Sequence, residues 1–176
     1  RIKSPTVDEY TYISTGYLYV KTGDFRLDRT HPPLIRLLIG LPLQFISIEM
    51  PPLQKEKWDT PDSYFLGYPL GWEMMLGGRN DWRKILFLAR LPVLFLSCGL
   101  AGLVYLWGRR LYGGAGGLIS LFLYAFCPNL MAHGRLATMD LGSAFFIFLA
   151  LFALYLYAES PSPIRLVLAG VALGAA

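Results

Sequence analysis

The amino-acid sequence predicts an all-α membrane protein, a polytopic helical bundle with interfacial juxtamembrane helices in its first outer loop. Three observations carry that class. Long apolar runs recur, from Ile85 to Trp107, from Gly114 to about Ala132 and from Leu141 to Ala158, and a fourth opens at Ile164. A helix needs roughly 18–20 such residues to cross a hydrocarbon core. The chain is 55% hydrophobic and only 16% charged, with mean hydropathy +0.44. The connections between runs are short: "GRRLYGG", "NLMAHGRLATMD" and "ESPSP". The expected organisation is an outer loop over residues 1–84 and membrane helices over residues 85–176, at about 85–107, 114–132, 141–158 and 164–176. The last run stops within apolar sequence, and the chain is read as a piece of a longer polytopic protein.

Each element has its own justification. Thr6-Val7-Asp8-Glu9 fits a capping box, with Thr6 as N-cap and Glu9 three residues on. Acids in a first turn also suit the helix dipole. A short helix therefore starts here and carries the tyrosine-rich run that follows. In "RTHPPL" the Pro32-Pro33 pair fixes a turn into the next segment. That segment, Pro32 to Ile48, is apolar but short, and it holds Arg36 and Pro42. Leu34, Ile35, Leu37, Leu38, Leu41 and Phe45 can share one broad face, which predicts a helix lying in the membrane interface. "LGYPLGWEMMLGGRNDW" fits an interfacial loop. In the first span, Arg90 is placed to snorkel and Pro92 is tolerable near the start. "GGAGG" opens a span and follows no strand, so it serves packing rather than phosphate binding.

Counting spans puts Asp8, Glu9, His31, Arg135 and Asp140 on the same side of the membrane. Basic residues flank both sides, so charge alone leaves the orientation open. Net charge is +4, which suits a membrane surface. The basic residues form no patch of the kind nucleic-acid binders carry, so no nucleic-acid partner is expected. Cys98 and Cys127 fall inside predicted spans without metal spacing and read as small buried residues. No metal ligand set is assigned, and the sequence leaves a divalent-metal requirement open.

Each ionisable candidate has two readings. Asp8 and Glu9 can simply start a helix, or supply a general base at the membrane surface. His31 can be a turn residue or a donor to an anionic headgroup. Arg135 can be a snorkelling anchor or a fork for phosphate. Asp140 can cap a span or stand beside a reacting group. Two carboxylates, a guanidinium and an imidazole on one membrane face suit a phosphate leaving group carried by a lipid.

The order "SPTVDEYTYISTGYLYVKTGDFRLDRTHPPLIRLLIGLPL", then the first span, then "HGRLATMD" resembles the bacterial relatives of the protein O-mannosyltransferases. These form glycosyltransferase family 39, which includes the lipid A aminoarabinose transferases and has the GT-C membrane fold. The resemblance runs from about Ser4 to Tyr157. It implies that Asp8 is the catalytic base with Glu9 its neighbour. It places His31 where mannosyltransferases have histidine and aminoarabinose transferases have lysine, near the lipid phosphate. Arg135 would contact that phosphate, and Asp140 would be a second acid near the site. The donor would be a polyprenyl-phosphate sugar in the membrane lipid, and the acceptor a hydroxyl of protein, lipid or glycan. Transfer would invert the anomeric centre on the extracytoplasmic face of the plasma (inner) membrane. A further span would precede Arg1. The rival class is a transporter or flippase-like protein with Arg135 and Asp140 lining a substrate path.

Overall fold

A computed structural model describes residues 4–53 and 57–176. Among them every regular element is helical: α1 (Val7–Thr22), α2 (Leu34–Gly40), a 3₁₀ turn at Pro42–Phe45 and another at Pro61–Leu66, α3 (Gly67–Leu76), α4 (Trp82–Ala125), α5 (Pro128–His133), α6 (Asp140–Glu159) and α7 (Pro163–Gly174). The chain divides into two compact units, Arg1–Val93 with Leu136–Met139, and Leu94–Arg135 with Asp140–Ala176.

In the first unit α1 packs against both α2 and α3. Its sequence is rich in Tyr, Thr and Val, which are weak helix formers. Burial compensates: Ile13, Tyr17, Leu18 and Tyr19 are inside. The hydroxyls in this buried face are satisfied locally, Ser14 donating to the Tyr10 carbonyl (2.8 Å) and Thr15 to that of Thr11 (2.7 Å). Glycines allow the close approach. A Cβ on Gly40 would lie 2.1 Å from the Gly16 carbonyl oxygen, and one on Gly71 would lie 1.9 Å from that of Tyr10. Both obstacles are backbone, which no rotamer change can relieve. Gly40→Ala should therefore cost about 1–3 kcal/mol, read as a lowered melting temperature of the detergent-solubilised protein.

The buried face of α2 is Ile35, Arg36, Ile39 and Gly40, continued by Leu43, while Leu41 and Phe45 of the apolar stripe stay exposed on the protein surface. Contact with α1 decides this, because the small Gly40 has to face Gly16. The Gly- and Trp-rich stretch after Leu66 is a helix, α3, rather than a loop; Gly71 seats it on α1, and Met74 and Met75 enter the core.

In the second unit α4 folds back at Gly113 (φ 73°, ψ −171°). That backbone conformation is open to glycine and strained for other residues. The predicted connection "GRRLYGG" is thus mostly helix, with one glycine as the turn. The two arms run antiparallel and close together. Ser97 and Tyr124 hydroxyls lie 3.0 Å apart, and a Cβ on Gly108 would meet the Ser120 hydroxyl at 2.5 Å. Small residues at such contacts let helix backbones approach in lipid.

The second arm ends at Ala125 instead of running on to Ala132. Pro128 lacks an N–H and pushes Cys127 to an extended conformation (φ −70°, ψ 118°), after which α5 begins. Cys98 is exposed and Cys127 half-exposed on the helix surfaces, not buried among protein atoms. α6 packs on α7; Trp107 meets Phe148 (5.1 Å between centroids) and Phe152 (5.5 Å). Trp82–Ala125 and Asp140–Glu159 are long and apolar enough to cross a membrane, and Pro163–Gly174 is a shorter apolar helix. Large apolar side chains such as Phe95, Phe122 and Leu123 point outward from these helices. The fold is that of an all-α membrane protein.

Candidate functional site

The start of α1 sets the site. Glu9 is fully buried, and its carboxylate gathers five donors, two from nearby Thr6 and three from two distant stretches of chain. Arg90 grips it with Nε on Oε1 and Nη2 on Oε2, each at 2.7 Å. The Ala137 N–H donates to Oε1 (2.8 Å), and Thr6 donates to Oε2 from its N–H (2.9 Å) and its hydroxyl (3.1 Å). Burial works against ionisation here and is the largest single influence. The donors from Arg90, Ala137 and Thr6, with the charge of Arg90, outweigh it and hold the Glu9 carboxyl below its ordinary value of 4.5. The capping box expected from the sequence is present, but it is a small part of what Glu9 does. Arg90 does not snorkel: with 17% of its side chain exposed, it closes a forked ion pair with a carboxylate 81 positions away. No local pattern announces that pairing. A cation inside an otherwise apolar run was the one available signal.

Asp8 is one residue, and so about 100° of helix rotation, from Glu9. It is exposed and lines a cleft of about 360 Å³ with Thr11, Tyr12, Asp28, Thr30, Phe65 and Tyr68. Its neighbour's saturation matters: the helix end that carries Asp8 is pinned by a carboxylate that cannot move without breaking an ion pair. The cleft is lined by the hydroxyls of Thr11 and Thr30 and by the rings of Tyr12, Phe65 and Tyr68, a mixture that suits an amphiphilic or sugar-bearing ligand.

His31 is exposed beyond the turn that follows Asp28, with its ring edge-on to Tyr12 at 6.1 Å between centroids. It lines a second cleft, about 380 Å³, with Tyr19, Phe25, Arg26, Asp28, Arg29 and Pro33. Asp28 borders both clefts, and Tyr12 links Asp8's cleft to His31. Behind that wall lies a buried pair that the sequence did not disclose. Arg36, fully buried, holds Asp28 Oδ2 at 3.0 Å. Its position inside an apolar helix was visible; its partner was not.

Asp8, Glu9 and His31 thus belong to one unit. Arg135 and Asp140 belong to the other. Arg135 is exposed. Asp140 opens α6 and lies 3.5 Å from His133 Nδ1. The residues between them, Leu136–Met139, are part of the first unit, and Ala137 is the one hydrogen-bonded to Glu9. The connection between the second and third predicted spans therefore reaches the start of α1. Among the described residues no three His, Cys, Asp or Glu side chains gather as a metal site would require.

Residues 72–176 match the family described as dolichyl-phosphate-mannose-protein mannosyltransferase. No curated protein and no solved structure matches the chain. The matched stretch begins within α3 and takes in α4 to α7 with Arg90, Arg135 and Asp140; Asp8, Glu9 and His31 precede it. Over more than half its length, then, the chain belongs to the dolichyl-phosphate-mannose-protein mannosyltransferase family, membrane glycosyltransferases of the GT-C type.

Proposed function

We propose that the protein transfers a sugar from a polyprenyl-phosphate donor to a hydroxyl of a protein, lipid or glycan acceptor, with inversion at the anomeric carbon. Asp8 takes the proton of the acceptor hydroxyl. The freed oxygen bonds to the anomeric carbon as the bond from that carbon to the phosphate oxygen breaks. The polyprenyl phosphate leaves with the electron pair. Arg135 and His31 meet the charge that grows on the departing phosphate, and Asp140 stands as the second acid of the site. The reaction is placed on the extracytoplasmic face of the inner membrane.

One observation carries this reading: Asp8 is the exposed carboxylate of an anchored pair, open to an aromatic and hydroxyl-lined cleft, while Glu9 beside it is consumed by five donors. A base needs a free lone pair and a fixed position, and the two acids divide those tasks. The transporter alternative draws less support, since α6 carries no Asp, Glu, Lys, Arg or His between Asp140 and Glu159.

The test is a transfer assay on the purified full-length protein with a panel of polyprenyl-phosphate sugars, the anomer of the product being read by NMR. Transfer with one donor and an inverted product is expected; retention, or no transfer from any donor, overturns the reading. Arg135→Ala should raise KM for the donor about 10–100-fold, the worth of a charge-assisted hydrogen bond of roughly 1.5–3 kcal/mol. An unchanged donor KM would remove Arg135 from the phosphate.

A further inference from the structure

Arg36 does more than fill the core. Its guanidinium holds Asp28 and Thr30, two of the residues that lead the chain to His31. Nη2 pairs with the Asp28 carboxylate at 3.0 Å and donates to the Thr30 hydroxyl at 3.3 Å. Nη1 donates to the Asp28 carbonyl at 2.5 Å and to the Tyr19 hydroxyl at 3.0 Å. Asp28 sits at φ 58°, a left-handed conformation that a non-glycine residue adopts at a cost. The conformation is held from both sides. The Asp28 carboxylate accepts from the Thr30 N–H (3.2 Å) and hydroxyl (2.5 Å), and the Tyr19 hydroxyl reaches the Leu27 and Asp28 carbonyls. The same guanidinium lies over the Tyr12 ring at 5.3 Å, and Tyr12 is the ring that His31 abuts.

Both what carries His31 and what its ring leans on are therefore fixed by one buried cation. We infer that Arg36 is a positioning residue for the transfer reaction: with Asp28 it locks the turn at residues 28–31 and so holds His31 in the cleft it lines, against Tyr12 of Asp8's cleft. This rests on the role given to His31 in the proposed function. A lysine cannot substitute, because a single ammonium cannot span the carboxylate, the carbonyl and two hydroxyls that the planar fork reaches.

The experiment is a double-mutant cycle on the full-length protein, with Arg36→Lys and His31→Ala alone and together, read in kcat and donor KM. Hydrogen exchange of the peptide covering residues 27–31 is measured in parallel. Arg36→Lys should slow transfer about tenfold or more, and add almost nothing in the His31→Ala background, because it acts through that residue. Exchange over residues 27–31 should rise at least tenfold, while α4 and α6 peptides stay protected. Additive losses in the cycle, or unchanged exchange in the turn, overturn the inference. A wild type that transfers no sugar defeats the proposed function instead, and the exchange comparison then decides the turn by itself. Should Arg36→Lys fail to fold, Thr30→Val, which removes one link of the same cluster at the surface, gives the cycle its second arm with the same required non-additivity.

Discussion

Asp8→Asn should lower kcat about 10²–10⁴-fold, the usual worth of a general base, while donor affinity stays within about twofold. The substitution keeps the size of the side chain and removes its charge and basicity. Asp8 lies in the first turn after the N-cap Thr6, so Asn loses a charge–dipole interaction of about 0.3–1 kcal/mol, and because Asp8 is exposed folding should change little more than that. Donor binding should persist, since the phosphate contacts proposed for Arg135 and His31 are untouched. Turnover is measured with the preferred polyprenyl-phosphate sugar and donor affinity by isothermal titration. Full activity in the Asn variant would show that Asp8 is not the base. Glu9 would not inherit the role, because both of its oxygens are already occupied.

Arg90→Met is expected to be the most damaging single change to stability, by about 3–5 kcal/mol, the cost of leaving a buried charge without its partner. Glu9 is fully buried, and Arg90 is half-buried above it. The pH dependence has a definite sign. In the wild type the folded-state value of Glu9 lies below 4.5, so its contribution is present in full above that pH. It is lost as pH falls through the lower folded value. In Arg90→Met the guanidinium is gone and burial dominates, so Glu9 resists ionisation; the penalty is then largest at neutral pH and shrinks in acid. Melting curves of the two proteins between pH 3 and pH 8 should converge as pH falls. Glu9→Gln combined with Arg90→Met should recover much of the loss at neutral pH, because no unpaired charge remains. A double variant as unstable as Arg90→Met alone would show that packing, not charge, is what Arg90 contributes.

The glycosyltransferase reading also explains why a chain so poor in charge keeps ion pairs at this end of α1. A base that must meet a lipid-borne substrate works at the membrane surface, where the dielectric is low and water competes poorly with fixed donors. Anchoring Glu9 by residues 6, 90 and 137 makes the position of Asp8 depend on three parts of the chain at once. Substitutions at Arg90 should therefore reach activity as well as stability.

Composition and periodicity by themselves determined that the protein is helical and membrane-embedded; the cap residues Thr6 and Glu9 marked a helix start, and the order of short motifs carried the family resemblance. These are local properties: apolar runs, a four-residue cap and an order of short motifs are each written in contiguous residues. What only tertiary structure decided is pairing. Arg36 looked misplaced in an apolar helix, and Arg90 looked like a snorkelling anchor, because their partners Asp28 and Glu9 lie 8 and 81 positions away. The face that α2 buries and the helical state of α3 were likewise set by where Gly40 and Gly71 let backbones meet. The stop at Ala125 followed from Pro128 and the extended Cys127 before it, where apolar length alone carried the span towards Ala132. A sequence states which charges a chain owns; only the folded backbone determines which of them are close enough to neutralise one another and which, like Asp8, stay exposed at the surface.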